Sequence, residues 1–125
     1  MSKGEEFFQS HLDYIARGDV DGLLRDHYHD DIELVTFEFV LKGKDALKKY
    51  LTVDNPEKMG KVVGMEVTHL TSSDDVVMFT AKVTGDRIGT FYARDAFYIR
   101  DGKILRQIAM TLPPDQDCGG ALVKG

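Results

Sequence analysis

The chain has 125 residues, 42% of them hydrophobic and 30% charged, which suits a single folded domain over residues 1–125. Its net charge of −5 gives no general attraction to phosphate backbones or anionic lipid, so neither nucleic acid nor a membrane is an expected partner. No run of about 18 apolar residues is present to span a bilayer, and one cysteine, Cys118, excludes an intrachain disulfide.

The opening "MSKGEEFFQS" lacks the apolar core of a signal peptide, and with the lone cysteine it suggests a cytoplasmic protein. Phe8, Leu12 and Ile15 recur at helical spacing, with Phe7, His11 and Tyr14 on the adjacent stripe, so a helix is predicted over Glu5–Arg17. Gly18 stops it, and Asp19 caps a second helix that runs through Tyr28. "DDIELVTFEF" alternates and is rich in β-branched and aromatic residues, which predicts a strand. Gly43 opens a third short helix, "KDALKKYL", and "TVDNPEKMG" reads as a loop turned by Asn55-Pro56.

From Lys61 the pattern changes to long strands. "KVVGMEVTHLTS" and "VVMFTAKVT" are separated by a turn at Ser73-Asp74-Asp75. After a connection at residues 85–89 comes Thr90 to Arg100, then the tight-hairpin signal Asp101-Gly102, and then "KILRQIAMTL", stopped by Pro113-Pro114. The tail beyond is expected to be mobile. Helices first and four consecutive antiparallel strands afterwards argue an α+β fold, its bent sheet wrapping the helices and leaving a cavity at one end.

One strand carries an anomaly. Phe91, Ala93, Phe97 and Ile99 share a face, and Asp95 lies in the middle of that apolar stripe. A carboxyl there needs either a structural partner or a role at a pocket floor. On the final strand, Gln107, Ala109 and Thr111 share one face, and the more apolar Ile104, Ile108 and Met110 share the other; alternation alone would turn the second set inward. The sequence contains no G-x-G-x-x-G, P-loop, H-E-x-x-H or C-x-x-C, so no cofactor and no metal is expected. "HYHDD", residues 27–31, holds ligand-type side chains, but they straddle a helix end and a strand start and fit a solvated loop better.

"YIARGDVDGLLRDHYHDDIEL", "LKGKDALKKYL" and "DAFYIRDGKIL" together resemble the nuclear transport factor 2-like superfamily, nearest its SnoaL-like polyketide cyclase and ketosteroid isomerase branch. The resemblance covers nearly all of residues 5–112. It implies a cone-shaped, cystatin-like α+β barrel, with a curved antiparallel sheet around three N-terminal helices, a small hydrophobic ligand, and a homodimer formed through the outer sheet face with Tyr92 and Tyr98. It implies catalytic roles for Asp95, His11 and Tyr14. Asp95 matches the acid that in the isomerase stays protonated and donates to the substrate's oxyanion, and His11 falls where that enzyme has its oxyanion-hole tyrosine. Thr36 stands at the position of the catalytic base, where a threonine cannot abstract a carbon-bound proton unaided; Glu38, two residues on, shares its face. Thr36, Glu38, Phe97, Gln107, Ala109 and Thr111 are expected to contact substrate. The implied activity is an isomerase, cyclase or dehydratase acting on a hydrophobic carbonyl compound. The missing base keeps open a non-catalytic binding module, or a dimeric interaction module with a vestigial pocket.

Overall fold

A computed structural model describes residues 2–113; the tail from residue 114, including Cys118, lies outside them. Helix α1, Lys3–Arg17, starts where Ser2 accepts a hydrogen bond from the Glu5 amide, and ends at Gly18 in the left-handed region, φ 66°. Asp19 caps α2, Val20–His27, by accepting from the Gly22 amide. Tyr28 is not the end of that helix but the first residue of β1, Tyr28–Val35.

The predicted strand through Phe39 is broken in two. Thr36 folds a tight hairpin, with its hydroxyl oxygen accepting from the Glu38 and Phe39 amides, and β2, Val40–Lys42, returns antiparallel to β1. The predicted loop at residues 52–60 is also different. Helix α3, Lys44–Lys49, continues through a π turn, Tyr50–Asp54, into a short helix α4, Asn55–Met59. Pro56 lies in the first turn of α4, where the missing amide proton breaks no helical bond.

Four long strands follow: β3, Val62–Ser72; β4, Val76–Gly85; β5, Gly89–Arg100; and β6, Lys103–Leu112. The turn between β5 and β6 places both Asp101 and Gly102 at positive φ, the hairpin geometry expected of that dipeptide. The sheet order is β2-β1-β6-β5-β4-β3. β3 to β6 are antiparallel neighbours, but β1 pairs with β6 in parallel, so the sheet is mixed rather than wholly antiparallel. It curves around the helices without closing, and the fold is α+β. Among the described residues no helix is long and apolar enough to cross a membrane.

The main core lies between the helices and the inner sheet face. Phe8 of α1 meets Phe79 of β4 at 4.6 Å between ring centres, and Leu47, Ile32, Val77, Phe97 and Ile104 fill the space around them. A smaller cluster, Ala81, Val83 and Phe91, packs with Met59 of α4.

Candidate functional site

The inner face of the sheet, the α3–α4 segment and the last turns of α1 enclose a cavity of about 640 Å³ that opens to solvent. Its walls are mostly apolar. Thr36, Glu38, Asp95, Gln107, Ala109 and Thr111 line it. His11, Tyr14 and Phe97 do not. Phe97 is 1% exposed and is part of the core. His11 is buried among Phe7, Phe97, His27 and Tyr28, and the Tyr14 hydroxyl donates to Asp26 instead.

β5 carries Asp95 inward because its neighbours on the same face, Phe91, Phe97 and Ile99, are all buried. The carboxyl is walled by protein on most sides, while a part of it stays reachable from the cavity. Burial raises its pKa to about 6, against the opposing effect of a hydrogen bond from Gln107. Gln107 Nε2 donates to Asp95 Oδ2 at 2.8 Å, and the Tyr28 hydroxyl donates to Gln107 Oε1 at 2.7 Å. The chemistry dictates this direction. An ionised carboxylate only accepts, so the amide must present its NH₂ group to Asp95 and its oxygen to the phenol. Tyr28 comes from the start of β1, is 3% exposed, and keeps its proton because burial, and then the charge of Asp95, raises its pKa.

The last strand turns Gln107, Ala109 and Thr111 to the cavity, yet Ile104 is fully buried as well. A bulge reconciles them. Tyr98 pairs with Arg106 and Ile99 with Ile104, so Leu105 is skipped and the alternation changes phase there. Ile108 consequently faces out and is 57% exposed.

Thr36 is committed to its hairpin, since its hydroxyl also donates to the Phe39 carbonyl. Glu38 is exposed at the cavity mouth. Of the 27–31 cluster, His27 is buried and bonds Ser10, while Asp30 pairs with Lys44 at 3.1 Å. No group of three metal-ligating side chains converges among the described residues.

Tyr28 and Tyr50 line the cavity without having been singled out from the sequence. For Tyr50 the signal was its three-residue spacing from Leu47, which faces the same space; for Tyr28 it was its place on the alternating stripe with Ile32 and Leu34.

By sequence, no protein-family model and no curated protein matches the chain. By structure, the chain is similar to an NTF2-like protein of unknown function from Burkholderia xenovorans LB400, with a TM-score of 0.73, 19% identity and coverage of 98% of this chain and 91% of that one. It is similar to a protein described as a SnoaL-like polyketide cyclase from Mesorhizobium loti, with a TM-score of 0.62, 21% identity and coverage of 85% and 97%. It is also similar to TerC co-crystallised with polyporic acid, with a TM-score of 0.72, 20% identity and coverage of 87% and 91%. Identities this low speak to architecture alone. The curved mixed sheet, the helices it wraps and the cavity between them give this chain the nuclear transport factor 2-like fold.

Proposed function

We propose that the chain is a small acid–base enzyme of the isomerase, cyclase or dehydratase type, acting on a hydrophobic carbonyl compound through Asp95. The observation that supports this most is a single deep carboxyl in an apolar cavity, held by Gln107 and with its pKa raised by burial to about 6. Near neutral pH such a group is mostly ionised and can take a proton from the carbon next to a carbonyl. Its conjugate acid is populated enough to return that proton elsewhere. The step needs no cofactor. The neighbour co-crystallised with polyporic acid is consistent with a small organic ligand.

The test is deuterium uptake. The protein is incubated in D₂O with enolisable hydrophobic ketones such as 2-tetralone, and exchange next to the carbonyl is followed by mass spectrometry. Exchange should depend on a group titrating near pH 6, and Asp95→Asn should lower it about 100-fold or more. Equal exchange by the variant and the parent would overturn the assignment.

A second reading, a non-catalytic binding module for a small apolar ligand, is favoured by Thr36. The hydroxyl at the family's base position is engaged in the hairpin, and the other carboxyl of the lining, Glu38, is at the mouth. On that reading apolar ketones raise the melting temperature by ligand linkage while exchange stays at the solvent rate. A homodimer through the outer sheet face is also proposed, supported by exposed Met78, Tyr98 and Ile108 on that face.

A further inference from the structure

An enolate forming in the cavity needs a hydrogen-bond donor for its oxygen. The two groups that the resemblance assigns to that task are elsewhere: His11 is in the core, and Tyr14 is bonded to Asp26. Tyr28 is committed to Gln107. One phenol remains.

Tyr50 begins the π turn between α3 and α4, where the Asn55 amide bonds back to the Tyr50 carbonyl. Such widened turns are rare and recur at functional sites. This one lies on the cavity wall, with Leu47, Tyr50, Leu51 and Asn55 all in the lining. Phe39, at the end of the Thr36 hairpin, packs on the Tyr50 ring at 5.3 Å and restrains it. The ring is half-buried, and its hydroxyl makes no hydrogen bond among the described residues. Burial and the charges of Asp95 and Glu38 oppose its ionisation, so the proton stays on the phenol. A neutral, unpaired donor beside an apolar cavity is a group that a ligand oxygen would satisfy.

We propose that Tyr50 is a catalytic residue that donates its hydroxyl hydrogen bond to the substrate's carbonyl oxygen, while Asp95 exchanges a proton with the adjacent carbon. The proposal rests on the acid–base reading above. As the carbon–hydrogen bond breaks, its proton moves to Asp95 and its electron pair forms the enolate double bond. The carbonyl π electrons move onto oxygen, which Tyr50 stabilises without giving up its proton. Return of the proton from Asp95 to carbon restores every group.

Two measurements on Tyr50→Phe, which keeps the ring and its packing on Phe39, test this. The first compares the affinity of 2-naphthol, a planar enol mimic, with that of 2-methylnaphthalene, which lacks the hydroxyl. The parent should prefer the naphthol by about tenfold, and the variant should lose that preference while binding the hydrocarbon unchanged. The second is 2-tetralone exchange, where kcat should fall about 100-fold with little change in KM. An unchanged naphthol preference in the variant overturns the proposal, and so does a parent with no preference at all. If the parent shows the preference and the variant loses it, but neither exchanges 2-tetralone, the donor stands and the acid–base reading fails.

Discussion

Asp95 and His11 tilt the pH dependence of stability in opposite directions. Asp95 titrates near 6 in the folded chain and near 3.8 when exposed. Between those values the native state holds a proton that the unfolded state has released, so this group's contribution declines as pH rises. Above 6 its buried charge costs on the order of 3 kcal/mol. His11 behaves conversely. Burial, and then its neighbour His27, lowers its pKa from 6.5 to about 3, so the native state stays neutral where the unfolded state is charged, and stability falls as pH drops through that window. Burial lowers the His27 pKa too, which adds to the acid side. From about pH 4 to 6 the Asp95 slope opposes that of His11, and His27 tips the balance, so urea unfolding of the parent should show a modest loss of stability toward acid. Asp95→Asn should be more stable than the parent at pH 7.5 and lose stability steeply in acid. His11→Leu should instead gain stability relative to its own neutral value as pH falls to about 4. Parallel pH profiles for all three proteins would refute the assignment. Asp95 was legible because a carboxyl on an apolar stripe breaks the alternation. Tyr28, Tyr50 and His11 were not, because an aromatic side chain on an apolar stripe looks the same whether it packs in a core or borders a cavity. The distinction depends on partners far away in the sequence, such as Gln107 for Tyr28 and Phe97 for His11.

At the level of elements, the Thr36 hairpin carries the site's outer wall. Thr36→Val keeps the shape but removes the acceptor for two amides and the donor to the Phe39 carbonyl. The turn is exposed and water replaces part of the loss, so denaturation should show a cost of about 1 kcal/mol. Since Phe39 restrains Tyr50, the same variant should weaken 2-naphthol binding more than 2-methylnaphthalene binding. An unchanged ratio would separate the hairpin from the site. This turn was hidden in the sequence because it lacks glycine, proline and asparagine, and because Phe37 and Phe39 continue the strand's alternation across it. The α4 segment was hidden for the opposite reason. Asn55-Pro56 is a strong turn signal in isolation, yet a proline in the first turn of a helix is harmless, and the preceding π turn delivers the chain to that position. Where the local code was unambiguous, at Gly18, Asp19 and Asp101-Gly102, prediction and structure coincide.

For the whole molecule, segregated helices and strands were enough to indicate α+β, but not the parallel pairing of β1 with β6. That pairing joins residues about 70 positions apart, such as Leu34 and Gln107, and no local pattern encodes it. It matters because it places the strand bearing Gln107 between β1 and β5, within reach of both Tyr28 and Asp95. Curving the sheet around the helices leaves its outer face uncovered. There Met78, Ala96 and Ile108 form one cross-strand row, with Met78 53% and Ile108 57% exposed, next to the row of Tyr98 and Arg106. Phe37, 84% exposed at the hairpin tip, borders the same face and helps line a groove of about 430 Å³. A continuous apolar row flanked by tyrosine and arginine has the composition of an interface core. A second copy of the chain, covering this face with its own, would remove those side chains from water. Sedimentation at tens of micromolar should therefore give about twice the 14.0 kDa chain mass. Met78→Glu combined with Ile108→Glu would set like charges against each other at the centre of the paired faces and should give monomers. Both side chains point away from the inner cavity, so the monomer should keep its affinity for 2-methylnaphthalene. A parent that sediments as a monomer, or a double variant that still dimerises, would remove the outer face from the assembly.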